Sequence, residues 1–236
     1  MCGRFALESD WNELVDAFDL VRTNAAPQIE PRYNIAPTQP ILVVRPAFDD
    51  AEKGREATFV RWGLVPHWVK DPDDFPTLIN ARAETAHEKP SFRSAMKHRR
   101  VLVPASGFYE WQSRGKGQRK QPFYLRPRDG GLVAFGGLAE NWQGPDGEEM
   151  ASGAIVTTGP NGTFGKLHDR MPLVVPSGHW QAWLDTKRTH PEEVRDLLVP
   201  PADDYWEAVP VDPAVGSPRN QGAGLIVPIE GVDAPF

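Results

Sequence analysis

Cysteine is almost absent from this chain: Cys2 is the only one in 236 residues, so an intramolecular disulfide is excluded. Long apolar runs are missing too. No stretch approaches the ~18 residues of a membrane span, and residues 1–25 lack the basic-then-apolar order of a secretory signal. The chain is therefore expected to be cytoplasmic, with no membrane association. Metal-binding spacing is also lacking: none of the 6 histidines forms a pattern such as HExxH and Cys2 has no partner, so neither metal nor cofactor is expected. An excess of positive charge is absent as well, and a formal charge of −6 argues against a general nucleic-acid binder. Local composition departs from that average, because Lys97-His98-Arg99-Arg100 and the group Arg114, Lys116, Arg119 and Lys120 are dense basic patches. Proline, by contrast, is abundant: 24 residues, about twice the usual ~5% share, favour short elements joined by ordered turns. With 40% apolar residues, no repeat and no linker composition, residues 1–236 read as a single domain with a substantial core.

The position of the one cysteine carries more information than its rarity. Removal of Met1, usual before a small second residue, would leave Cys2 as the first residue of the mature chain. An α-amine of pKa roughly 7.7–8.0 and a thiol of about 8.5 would then flank one carbon, each partly deprotonated near neutral pH. Such a 1,2-aminothiol has two chemistries. Its thiolate can attack an acyl carbon with the amine as base, or its amine can condense with an aldehyde and the thiolate close the imine to a five-membered thiazolidine. A lone cysteine also serves as a small buried hydrophobe. Flexible Gly3 and the cation Arg4 suit a reactive end tucked into a cleft better than a packed core.

Hydrophobic spacing places a helix over Asp10–Phe18, with Ser9 as N-cap and Trp11, Leu14, Val15 and Phe18 on one face. Strands are predicted at Ile41–Val44 and Thr58–Trp62, separated by a charged hairpin tip at Asp49–Glu56. A short helix from Pro90 to Lys97, capped near Ser91, leads to a strand at Val101–Val103. A turn then opens a strand through Trp111, whose hairpin returns through Pro122–Arg126 after a basic tip at Arg114–Lys120. Leu132–Leu138 and Ala154–Thr158 read as buried strands joined across Gly144-Pro145-Asp146-Gly147. Leu173–Val175 reads as a strand, followed by amphipathic helices near His179–Leu184 and Pro191–Leu198, and by a last strand around Leu225–Ile229.

Five residues outside the chain start stand out chemically. Asn80 and Arg82, two apart in an extended segment, share one face. Glu110 lies between Tyr109 and Trp111; desolvated there it would be a raised carboxyl suited to proton transfer, and turned outward only a surface residue. His168 adjoins Asp169 and Arg170, an orienting carboxylate and a cation, and equally suits a structural role before a strand. Trp68, beside His67 in a turn set by Gly63 and Pro66, has the setting of an exposed stacking platform. Gly159–Lys166 superficially resembles a phosphate loop, but its glycine spacing is wrong and Leu167 stands where Ser or Thr is required.

Taken together, Met1–Phe5, Arg32–Pro37, Trp62–Trp68, Asn80–Thr85, Ser106–Trp111 and His168–Pro172 resemble, in order, the motifs of the SOS response-associated peptidase (SRAP) family, whose members crosslink to abasic sites in single-stranded DNA. The resemblance implies an α+β fold: twisted antiparallel β-sheets forming a partly barrel-like core, flanked by short helices. It implies that Cys2 is the crosslinking residue, that Asn80 positions its amine and the sugar, that Glu110 transfers protons and that His168 assists opening of the deoxyribose. Arg4, Arg82 and Arg170 would be phosphate ligands, and Pro37 and Trp68 parts of a wall that stacks on or wedges between bases. The implied partner is single-stranded DNA containing abasic sites, bound by a monomer without an obligate protein partner and nucleoid-associated when so bound. Peptidase activity would be confined to removing Met1, and strand cleavage by β-elimination would be a side reaction. Two other classes fit parts of the sequence. An N-terminal-nucleophile amidohydrolase also begins Cys-Gly, with Asn161-Gly162 as an oxyanion-hole pair. A non-covalent reader of damaged single strands would leave Cys2 incidental.

Overall fold

In the computed structural model, residues 2–21, 29–47, 54–187 and 191–236 are described, the side chains of Pro191 and Glu192 excepted. In chain order the strands are β1 (Phe5–Leu7), β2 (Arg32–Ile35), β3 (Pro40–Pro46), β4 (Arg55–Trp62), β5 (Asn80–Arg82), β6 (Arg100–Ala105), β7 (Gly107–Gln112), β8 (Gln121–Pro127), β9 (Val133–Gln143), β10 (Glu149–Thr158), β11 (Met171–Pro172) and β12 (Trp206–Pro210). The helices are short, as the proline content demands: α1 (Trp11–Phe18), α2 (Arg93–His98) and α3 (Trp180–Leu184), with several 3-10 turns.

The strands form two sheets. One has the order β12-β8-β7-β1-β2. The other runs β10-β4-β3-β6-β9, and β9 then pairs along its length with β10, from Gln143↔Glu149 to Gly137↔Ile155, closing a five-strand ring. The expected partly barrel-like α+β core is thus present. Most pairings are antiparallel, but β10 runs parallel to both β4 and β5, an arrangement the local pattern of hydrophobic residues does not encode. The sheets meet face to face through aromatic rings. Phe5 of β1 sits edge-on to Trp62 of β4 at 5.2 Å, and Phe108 of β7 edge-on to Phe135 of β9 at 6.0 Å. Gly107 opens β7 because the strand passes so close to β8 that a Cβ there would lie 2.4 Å from the Leu125 carbonyl oxygen.

Several sequence expectations shift. The cap of α1 is Asp10, not Ser9: its carboxylate accepts from the Glu13 N–H at 3.0 Å while Glu13 accepts from the Asp10 N–H at 3.1 Å. Helix α2 starts at Arg93 behind Phe92, with no side-chain cap at Ser91. The strand expected at Leu173–Val175 is β11, at Met171–Pro172, followed by a single bridge from Val174 to Phe135. No strand forms at Leu225–Ile229; Ala223–Ile226 is a 3-10 turn, and the last strand is β12, absent from the sequence reading. Pro191–Leu197 is likewise 3-10 rather than α-helical. The expected tip at Asp49–Glu56 lies largely outside the described residues, although its flanks pair from Pro46↔Arg55 to Pro40↔Arg61 as β3 and β4. Among the described residues no helix is long and apolar enough to cross a membrane.

Candidate active site

The chain start is drawn into the protein by strand pairing. β1 pairs with β7 at Phe5↔Phe108, and the Tyr109 N–H donates to the Arg4 carbonyl at 2.9 Å, so the residues before β1 run alongside Glu110. Cys2 is fully buried there. Asn80, at the start of β5, donates from Nδ2 to the Cys2 carbonyl at 2.8 Å. Its other atom, Oδ1, is buried and accepts no hydrogen bond among the described residues. The lone acceptor thus sits beside the backbone of Cys2, at a cost of about 1–3 kcal/mol for a buried unmade bond.

Glu110 resolves to the buried alternative, at 4% exposure. Burial pushes its carboxyl above the usual carboxylate range, while nearby positive charge, His168 included, pulls the other way. Burial likewise pushes the Cys2 thiol well up, and the Glu110 carboxylate adds to that rise. The buried thiol is therefore held as S–H.

His168 follows the 3-10 turn Phe164–Lys166 and is held by a tight local loop. The Arg170 N–H donates to its Nδ1 at 3.0 Å, which in the neutral ring leaves the proton on Nε2. When the ring is protonated, Nδ1–H finds the Arg170 carbonyl at 3.1 Å and an Asp169 carboxylate oxygen at 3.0 Å. Nδ1 is thus either the acceptor of the Arg170 N–H or a donor to the Arg170 carbonyl and Asp169, not both at once.

The C-terminal end of β10 links these parts. Thr157 pairs with Arg82 of β5 on one side and Pro172 of β11 on the other. Across this junction Arg170 grips Glu84 with two parallel hydrogen bonds of 2.7 and 2.9 Å and also reaches the Thr157 carbonyl. The Arg170 guanidinium holds the Glu84 carboxyl below its usual range. Arg82 is exposed and its side chain has no hydrogen bond or ion pair among the described residues.

The remaining sequence candidates are farther out. Trp68 is 50% exposed and rests edge-on against Phe75 at 5.7 Å, a ring held firmly yet open to solvent. Pro37 is half-buried in the turn after β2, where Thr38 takes a φ of 72° and its N–H donates to the Trp62 carbonyl at 2.8 Å. Arg4 departs most from a free phosphate ligand: its Nη1 donates to Asn34 Oδ1 at 2.7 Å and to the Val215 carbonyl at 2.8 Å. Asn34 and Glu84 lie in segments singled out in the sequence but were not among its site residues. Asn34 is fully buried and donates from Nδ2 to the carbonyls of Ser217 and Asn220 at 3.0 and 2.9 Å, clasping the C-terminal segment to β2. An asparagine inside a strand was the available signal. Asn161-Gly162 does not form an oxyanion hole. Asn161 Nδ2 donates to the Ala202 carbonyl at 2.8 Å, its Oδ1 accepts from the Phe164 N–H at 2.7 Å, and the Gly162 N–H is taken by Asp203 at 2.7 Å.

The SOS response associated peptidase (SRAP) sequence profile matches residues 1–218. The chain belongs to this family. Among SRAP relatives, it is 38% identical over 226 residues to the abasic site processing protein YoaM of Bacillus subtilis, spanning 96% of this chain and 97% of that protein. It is 32% identical over 236 residues to the abasic site processing protein YedK of Escherichia coli, spanning 97% and 100%. With HMCES of Rattus norvegicus, also named an abasic site processing protein, identity is 30% over 233 residues, spanning 85% of this chain and 65% of the longer relative. A solved structure from Bacteroides thetaiotaomicron shares the fold at a TM-score of 0.83 and 22% identity, covering 97% of this chain and 100% of that one. A phage-related protein from Bordetella bronchiseptica superposes at a TM-score of 0.68 with 29% identity, covering 89% and 94%. The SRAP match ends at residue 218, so it includes the chain start, both sheets and the Val215 and Ser217 carbonyls of the clasp, with Asn220 beyond it.

Proposed function

We propose that this protein processes abasic sites in single-stranded DNA by forming a covalent crosslink through Cys2 after loss of Met1. The supporting observation is the convergence of Cys2, Asn80, Glu110 and His168 from four separate parts of the chain, together with relatives named as abasic site processing proteins. The ring-opened sugar presents an aldehyde at C1′. The α-amine of Cys2 adds to it, and the carbinolamine loses one water to give the imine. The Cys2 sulfur then bonds to C1′ while the thiol proton passes to the former imine nitrogen, closing a thiazolidine; aldehyde plus aminothiol yields ring plus one water. Glu110 relays the amine and thiol protons, a role that a raised carboxyl performs better than an ordinary one. Because burial keeps the thiol protonated, ring closure proceeds with proton transfer rather than from a standing thiolate.

His168 serves ring opening of the deoxyribose: its protonated ring gives the Nε2 proton to the sugar ring oxygen as the bond from that oxygen to C1′ breaks, the C1′ hydroxyl proton returns to Nε2, and Nδ1–H keeps the Arg170 carbonyl and Asp169 as acceptors. The unsatisfied Asn80 Oδ1 accepts from the incoming amine or a sugar hydroxyl. Arg82 is the exposed cation best placed for a phosphate, and Trp68 the ring for stacking on a base. Arg170 and Arg4 serve the site first by bracing it, through Glu84 and through Asn34. β-Elimination from the imine, which cleaves the strand, is a competing outcome.

Intact-mass measurement before and after incubation with an abasic single strand tests this. The expected results are loss of Met1, a denaturation-resistant adduct one water lighter than its components, and no adduct from Cys2→Ala or from protein that keeps Met1. A normal adduct yield from either would overturn the chemistry.

A further inference from the structure

The basic tip between β7 and β8 has no role in the site described above. Gln112 and Gln121 are the last paired residues of that hairpin, and every residue from 113 to 120 is exposed. Four are cations, Arg114, Lys116, Arg119 and Lys120, with no carboxylate among them. None of the four makes a side-chain hydrogen bond or ion pair among the described residues. Other arginines of this chain are engaged: Arg99 with Glu140, Arg126 with Glu207, Arg170 with Glu84. Clustered like charges on a projecting loop repel one another unless an external polyanion answers them. The stem, by contrast, is fixed. Trp111 packs against the cluster of Tyr109, Tyr124 and Val215, and the Arg4 guanidinium lies 5.9 Å above its ring.

The same strand carries Glu110, so the tip extends from the reacting centre itself. The four residues from Glu110 to the turn at 115–118 reach on the order of 13 Å at ~3.3 Å each, about the span of four phosphates in a stacked strand at 3.4 Å. We propose that this hairpin tip grips the sugar-phosphate backbone of the strand flanking the abasic site, on one side of the lesion only. The inference rests on the proposed DNA substrate and extends it. A single projection leaving the site in one direction predicts the one-sidedness.

The test compares wild type with a charge-removed variant (R114Q/K116Q/R119Q/K120Q) and a charge-preserving one (R114K/R119K). The DNA probes carry a tetrahydrofuran abasic analogue, which has no aldehyde and so binds reversibly. One probe has about three nucleotides on each side; two others add about fifteen on the 5′ or the 3′ side alone. For three to four lost contacts the dependence of log Kd on log salt flattens by about 2–3, and affinity at 0.1 M salt falls roughly 10²-fold. That loss is expected with one long flank only, not with the other and not with the short probe, and the charge-preserving variant should match wild type. Equal losses on both flanks, a loss on the short probe, or unchanged binding to all three would overturn the proposal; unchanged binding would leave the tip to an acidic protein partner. Adduct yield on a short aldehyde-bearing strand tests the covalent reading separately, since its failure would leave the reversible binding result standing.

Discussion

Glu110→Gln separates chemistry from architecture within one substitution. The side chain is buried on β7 between Tyr109 and Trp111, and Gln preserves its volume while removing proton exchange. Binding to DNA should stay within a few-fold, and the rate of covalent product should fall roughly 10²–10⁴-fold, the usual worth of a general acid-base group. Stability should move the opposite way. Burial raises this carboxyl in the folded state, so its ionisation opposes folding: the penalty is absent below the unfolded value near 4.3 and complete above the folded value. Gln removes that penalty, so the variant should be more resistant to urea than wild type at pH 8, with the difference closing towards pH 4. The pH-rate profile of wild type should show an ascending limb displaced above the ordinary carboxylate range, and the variant should lack it. Quenched time courses on an abasic strand and on an analogue whose aldehyde is already open give the rates. His168→Gln should recover on the open analogue, because that substrate bypasses sugar opening, whereas Glu110→Gln should remain slow. Wild-type rates in Glu110→Gln, or equal recovery of both variants, would refute this division of labour.

Asn34→Ala should loosen the clasp on the C-terminal segment. It removes a charge-assisted bond from Arg4 and the amide donors to the Ser217 and Asn220 carbonyls, together about 3 kcal/mol. For 236 residues at ~2.1 cal/mol/K each, that corresponds to a Tm lower by about 6 °C, read by calorimetry; a change under about 1 °C would show the clasp to be idle. Arg82→Ala should weaken binding to all single-strand sequences alike and reduce the salt slope by about 0.7, whereas Arg170→Met, which breaks the pair with Glu84, should lower stability as well as affinity. An unchanged slope would remove Arg82 from the groove, and unchanged stability would show that the Glu84 pair braces nothing.

What the sequence displayed was local. Alternation and turn residues placed most central strands, and the isolation of Cys2 at the chain start directed attention to that end. The elements that went astray depend on distant partners. β12 is five residues ending in Pro210, and its identity as a strand comes from pairing with β8 about 80 residues earlier, from Trp206↔Pro127 to Pro210↔Phe123. Leu225–Ile229 has strand composition, but Leu225 is held instead by the cluster around Tyr109 and Tyr124. The arginines divide for the same reason. Residue type announces a cation, yet only the fold reveals that Arg4 and Arg170 are bound to Asn34 and Glu84 while Arg82 is not. Glu110 was legible as an alternative between burial and exposure, and strand register decided it.

The burial of Cys2 sets two requirements against each other. A reactive aminothiol exposed to solvent would be open to oxidation and to stray aldehydes, and its reactivity follows thiolate character and access. Full burial beside a carboxylate keeps the thiol protonated and unreactive, yet the same burial raises Glu110 into a better proton acceptor. The two shifts therefore form a pair: the environment that keeps the thiol protonated also raises the carboxyl beside it. Their positions differ in origin, Cys2 lying just ahead of β1 and Glu110 on the neighbouring β7, so the pairing of two strands in one sheet sets the distance between them. Asn80 and His168 arrive from the other sheet and its β10 junction, so the site lies where the two sheets meet. A substitution that shifted one sheet against the other, such as shaving Phe5 where it meets Trp62, would disturb the proposed reaction without touching Cys2, Asn80, Glu110 or His168.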